Sequence, residues 1–139
     1  MTIVVDTSVA LKWTIREEGS EQALKLLSER LIAPDLIQAE LGSALTRKVR
    51  RGEILPEQAR LAFGETVALL VMLPSPIFAA AALELALQLE HSIYDCYFLA
   101  AAELLGGFLI AADRPFAAKV RRTSLAPLIL LLGEEVSNV

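Results

Sequence analysis

The chain has one cysteine and one histidine in 139 residues. A lone cysteine, Cys96, excludes a disulfide framework and a cysteine-based zinc site. A lone histidine, His91, excludes a histidine-rich metal centre. A Ser-His-Asp triad would have to use it, yet "LEHSIYD" has no nucleophile elbow nearby, so its plain reading is a residue at a helix end. Basic residues are in the minority: 13 Lys and Arg stand against 17 Asp and Glu, for a formal charge of −4. That balance argues mildly against a surface built to neutralise phosphates. The first residues lack the basic-then-apolar order of a signal peptide, because Asp6 interrupts them, and a cytoplasmic location is expected. One charge-free run, Thr66 to Leu83, is long enough to raise a membrane span, but Pro74, Ser75 and Pro76 divide it. A short strand, a turn and a helix start explain it better, with Ser75 as cap and Pro76 in the first helical position. With so little cysteine and histidine, any chemistry must run on carboxylates.

What the chain does have is apolar residues, 55% of the total, with a mean hydropathy of +0.52. It is therefore ordered, and either thickly cored or carrying an oligomer interface. Its length suits one domain, residues 1–139, able to bury roughly two thirds of its unfolded surface. Ile3 to Val5 reads as a short buried strand and Ser8 to Ile15 as a helix capped by Asp6, Thr7 or Ser8. A second helix, "EQALKLLSER", follows Gly19 and Ser20, and Leu31 to Ala33 is a second strand. Asp35 then caps a long helix that Gly52 ends, Pro56 starts another, and Leu70 to Leu73 is a third strand. Phe78 to Leu89 and Ile93 to Leu105 are helical, "FLIAAD" is a fourth strand, Arg114 to Arg122 a short helix, and Leu128 to Leu132 a fifth strand before a loose tail. Strands alternating with helices, and strands that are continuous apolar runs, define an α/β fold on a parallel sheet. The alanine cluster signals close helix packing.

Two acids follow strands in the same way: Asp6 after "IVV" and Asp113 after "FLIAA". In open α/β sheets, ligands gather outside the carboxyl ends of the strands. Asp95 opens the helix "CYFLAAAELL", and Glu40 lies one turn into "LIQAELGSAL". Taken singly, Asp6 and Asp95 are helix caps, Asp113 a turn residue and Glu40 a surface charge. Together they read differently. Glu40 shares a helical face with Leu36, Ile37 and Ala44, the face expected to meet the sheet, where an unpaired carboxylate costs on the order of several kcal/mol. No lysine or arginine sits at a matching strand end, so a divalent cation drawing the acids together is the cheapest neutraliser. All-oxygen ligation selects Mg²⁺ or Mn²⁺, and such an ion beside a phosphodiester equips a site for metal-assisted hydrolysis. Thr7 and Ser8 are placed either to hydrogen-bond Asp6 or a coordinated water, or to cap the following helix.

The segments "IVVDTSVALKW", "IAPDLIQAELGSAL", "HSIYDCYFLAAAE" and "LIAADRPF", in that order, resemble the successive signatures of the PIN-domain ribonucleases, in particular VapC-type toxins of toxin–antitoxin pairs. The resemblance covers Ile3 to about Leu130. It implies a three-layer fold with a mostly parallel sheet of four to five short strands between helices, and a Mg²⁺-dependent (or Mn²⁺-dependent) endoribonuclease. Asp6, Asp95 and Asp113 would hold the ion, directly or through water, and Glu40 would position or deprotonate the attacking water. Ser8 matches the polar residue that often follows the family's first aspartate. The resemblance also implies an RNA substrate, a homodimer, and a small VapB-type antitoxin whose C-terminal segment covers the acidic site. One departure is Ala111, where the family commonly has Thr or Ser. Basic residues cluster at Arg47, Lys48, Arg50 and Arg51 and at Lys119, Arg121 and Arg122, where they also suit helix C-termini. Arg114, beside Asp113, is the expected phosphate contact. Two rival readings are a haloacid-dehalogenase-like or receiver phosphoryl-transfer domain and a catalytically silent binding module. The first needs an acid two residues after Asp6 and a lysine following a late strand, and the chain has neither at the expected place.

Overall fold

Three consecutive β-branched residues, with no polar side chain to feed a solvent face, make β1 (Ile3–Val5) a strand buried on both sides. The same logic sets β2 (Leu31–Pro34) and β4 (Phe108–Ala111) beside it. β3 (Val71–Leu73) and β5 (Ile129–Leu131) are the half-buried edges. All neighbouring strands pair in parallel, in the order β3-β2-β1-β4-β5. Val5 lies opposite Ile110, so β1 and β4 end at the same level. The chain builds outward from β1 through β2 to β3, then returns to the other side of β1 with β4. The crevice at that reversal, outside the carboxyl ends of β1 and β4, is where open α/β sheets take their ligands.

The structure is a computed structural model that describes residues 1–134. Residues 135–139, the bulk of the loose tail expected from sequence, lie outside the described residues. Glu134, just before them, pairs with Arg121 and accepts the Leu131 N–H at 2.7 Å.

Helices flank the sheet. After β1 come α1 (Thr7–Ala10), continued as a 3-10 turn over Leu11–Trp13, and α2 (Ser20–Lys25), continued likewise over Leu26–Ser28. Both are shorter as α-helix than the sequence patterns imply. α3 (Ile37–Arg50) and α4 (Pro56–Ala68) pack on each other. α5 (Ala79–Leu89) lies along α6 (Ile93–Leu104), and α6 crosses β1, β2 and β4. Ala82, Ala100, Ala101 and Ala102 are fully buried, so alanine permits the close approach of these layers. α7 (Arg114–Arg121) packs against β5. Among the described residues no helix is long and apolar enough to cross a membrane. The run from Thr66 to Leu83 is the end of α4, β3, a 3-10 turn over Ser75–Phe78, and the start of α5.

The turn at Ser75 differs from its sequence reading. Ser75 does not cap α5, and Asp35 does not cap α3. Asp35 Oδ1 instead accepts from the Ser75 hydroxyl at 2.6 Å and the Ser75 N–H at 3.0 Å, while Ser75 Oγ accepts the Leu36 N–H at 2.7 Å. Two polar residues read as local caps thus pin the start of α3 to the end of β3. These bonds hold the Asp35 carboxyl below the usual range.

Two apolar clusters set the frame. The main one fills the sheet layers, and a smaller one joins Leu11, Leu41, Leu45 and Ala62. The smaller cluster clamps α3 against α4 and the turn after β1, while Ile37 at the start of α3 joins the main cluster. At the opposite end of β4, Gly107 has its Cα position beside Thr2: a Cβ there would lie 2.1 Å from the Thr2 carbonyl oxygen. Only glycine lets β4 approach β1 this closely.

Candidate active site

Asp6 is the first residue after β1 and the N-cap of α1. Its Oδ1 accepts the Val9 N–H at 3.1 Å and the Ser8 hydroxyl at 2.6 Å. Ser8 Oγ in turn accepts the Ala112 N–H at 3.1 Å, which ties the end of β1 to the end of β4. Asp6 is only 7% exposed. Burial, helped by the charges of Asp95 and Asp113 and opposed by these two hydrogen bonds, pushes its carboxyl up to about 7.

Glu40 sits in the first turn of α3. It is half-buried, and Thr7 Oγ1 donates to its Oε1 at 2.7 Å. Burial raises its pKa, the Thr7 bond opposes this, and Asp95 adds to the rise. Asp113 stands two residues beyond β4 as the N-cap of α7, accepting the Phe116 N–H at 3.0 Å. Its orientation therefore comes from the helix it caps. Ala111 is wholly buried at the end of β4 and brings no hydroxyl to it. Asp95, in the first turn of α6, has Oδ2 2.7 Å from His91 Nε2.

Four elements thus bring Asp6, Glu40, Asp95 and Asp113 to the wall of one cavity of about 310 Å³, which Thr7, Ser8, Ser43 and Arg47 also line. Thr7 and Ser8, read together from sequence, do different jobs: Ser8 holds Asp6 and Thr7 holds Glu40. Arg114 does not line this cavity. It borders a separate one of about 280 Å³ with Lys12, Gln22 and Leu132, so the expected phosphate contact beside Asp113 is not where sequence adjacency put it. The cation that does line the acidic cavity is Arg47, one of the basic cluster for which phosphate contact and a helix C-terminal role are both open in the sequence. Its spacing was a usable signal, since residues 40, 43 and 47 share a helical face. His91 was read as a bare helix end, although it sits four residues before Asp95.

The lining offers hard oxygen donors and one cation, and no sulfur. As the side chains stand, no three His, Cys, Asp or Glu among the described residues are grouped tightly enough to hold a metal ion. The charges of Asp95 and Asp113 act on Asp6, and that of Asp95 on Glu40, each raising the neighbour's pKa.

The PIN domain family matches residues 3–121, and the chain belongs to the PIN-domain family. Within the curated proteins it is similar to ribonuclease VapC3 of Pyrobaculum aerophilum, with 32% identity over 124 residues, 86% of this chain and 95% of that relative. Among solved structures it is similar to PAE2754 of Pyrobaculum aerophilum, with a TM-score of 0.72 and 24% identity over 93% of this chain and 83% of that one. It is also similar to VapBC2 of Rickettsia felis, solved bound to a DNA fragment from their promoter, with a TM-score of 0.65 and 12% identity over 94% of this chain and 98% of that one. The two structures share the α/β fold with its central sheet.

Proposed function

We propose that the chain, taken as one domain over residues 1–139, is a cytoplasmic VapC-type endoribonuclease, the toxin of a toxin–antitoxin pair. The observation that carries this reading is the convergence of Asp6, Glu40, Asp95 and Asp113 on one cavity at the carboxyl edge of the sheet. The likeness to a ribonuclease over most of both chains supports it. Nucleases of this family depend on a metal ion, and the donor set here suits Mg²⁺ or Mn²⁺. Asp6, raised to about 7 by burial, is negative charge that the fold leaves uncompensated and a cation would relieve. Asp6, Asp95 and Asp113 would hold the ion, directly or through water.

When bound, that ion would acidify water and offset charge gathering on the phosphate. The chain's own groups do the rest. Ser8 and the Val9 N–H fix one oxygen of Asp6, and the Phe116 N–H fixes Asp113. Glu40, with its pKa raised, is the base that takes a proton from the attacking water, and Thr7 holds its carboxylate by Oε1. Arg47, on the cavity wall, meets a phosphate of the RNA as a delocalised cation. A small VapB-type antitoxin covering the cavity and a homodimer complete the proposal; exposed Leu83, Leu87 and Leu104 are consistent with an interface.

The test is RNA cleavage with Mg²⁺ by the wild type and by Asp6→Asn. The variant should remain folded and lose cleavage. Cleavage at the wild-type rate would refute the site.

A further inference from the structure

Among the described residues, Asp95 is the carboxylate of the cavity tied to an imidazole, while Asp6, Glu40 and Asp113 are held by hydroxyls or backbone N–H groups. The imidazole is itself held. His91 Nδ1 lies 3.3 Å from Lys119 Nζ, which also donates to the Glu90 carbonyl at 3.0 Å. The ring rests on Phe116, with centroids 4.7 Å apart and planes inclined by 35°. An ammonium has only hydrogens to offer, so the ring nitrogen facing it must accept. The imidazole hydrogen is then on Nε2, aimed at Asp95 Oδ2.

The backbone supports the same arrangement. Glu90, at φ 51 and ψ 50, takes the left-handed conformation that glycine adopts freely and other residues adopt at a cost. That bend ends α5 and delivers His91 beneath the first turn of α6. Lys119 and Phe116 both come from α7, the helix that Asp113 caps. One helix therefore carries one carboxylate of the cavity and, through His91, braces a second.

We propose that His91 is a positioning residue of the site: held by Lys119 and Phe116, it occupies Oδ2 of Asp95 and fixes the orientation of that carboxylate in the cavity wall. The proposal rests on the reading of Asp95 as a metal ligand. Hydrogen-bonded partners of ligating groups fix their orientation and typically matter about 10-fold to 100-fold in metal affinity.

The test is calorimetric titration of the full chain with Mn²⁺, together with nitrogen NMR of the imidazole, which is unambiguous because the chain has one histidine. His91→Ala should weaken Mn²⁺ binding about 10-fold to 100-fold. His91→Gln, which keeps an N–H donor of similar reach, should recover most of that loss. The wild-type spectrum should show hydrogen on Nε2, and Lys119→Met should shift the tautomer balance. Wild-type affinity in His91→Ala, a His91→Gln variant as weak as His91→Ala, or a wild-type ring carrying its hydrogen on Nδ1 would each overturn the proposal. Asp95→Asn separates the two levels. If it binds Mn²⁺ as the wild type does, the metal-ligand reading itself fails; if it loses binding while His91→Ala does not, only the positioning role fails.

Discussion

Replacing Asp6 by Asn should stabilise the metal-free protein at neutral and alkaline pH, even as it removes a group the reaction needs. The carboxyl is 7% exposed and its pKa is pushed from 3.8 up to about 7 by burial. The folded state thus holds its proton more tightly than the unfolded state does. The sign follows: this group costs nothing below pH 3.8, and its burial erodes stability as pH rises until it ionises in the fold near 7. About three pKa units correspond to about 4 kcal/mol, of which about 3 kcal/mol falls between pH 5 and pH 8. Asparagine keeps an oxygen to accept from Ser8 and Val9 and carries no charge at any pH. Urea unfolding in EDTA can follow Trp13, the sole tryptophan, buried with its indole N–H on the Ala23 carbonyl at 2.9 Å. The stability gap between Asp6→Asn and wild type should widen by about 3 kcal/mol from pH 5 to pH 8, roughly 10 °C in Tm for a chain of this size. Other titrating groups largely cancel in the difference. A gap that does not change with pH, or a variant less stable than wild type at pH 8, would refute the claim that Asp6 is a buried, uncompensated acid. Added Mg²⁺ should close the gap by stabilising the wild type alone.

Thr7→Val removes the bond that lowers the Glu40 pKa against burial, so the acid limb of the kcat/KM profile should move to higher pH; an unmoved limb would assign it to another group. Arg47→Ala should lower the salt dependence of RNA binding by about one unit of slope, as loss of one phosphate contact does, while Arg114→Ala should leave cleavage nearly unchanged. Gly107→Ala forces a Cβ against the Thr2 carbonyl, and should cost about 2–3 kcal/mol in urea unfolding by parting β1 from β4.

Much of the frame was legible because it is local. A run of apolar residues closed by an acid reads the same whether it occurs at Ile3 or at Phe108, and the five strands and seven helices among the described residues fall close to their expected positions. The errors came where a side chain answers to something distant. Asp35 and Ser75 have the composition of caps, yet they bond each other across 40 residues. Glu40 shares a helical face with Leu36, Ile37 and Ala44, the face expected to meet the sheet; Leu36 and Ile37 do join the main cluster, but Glu40 itself stands on the cavity wall with Thr7 as its partner. Arg114 was favoured for being next to Asp113; one residue further along, the chain has already turned toward another cavity.

By itself, the sequence determined which residue types were available for chemistry and that two acids leave parallel strands at the same edge. Hydrophobic pattern and capping chemistry act over a few residues, and those are written in the chain. Only the tertiary structure decided that β4 lies directly beside β1, that Ser8 reaches Ala112 across 104 residues, and that Arg47 and His91 join the carboxylates. Strand order is settled by the packing of all layers at once, and a charge's surroundings, hence its proton affinity, exist only after that packing is complete.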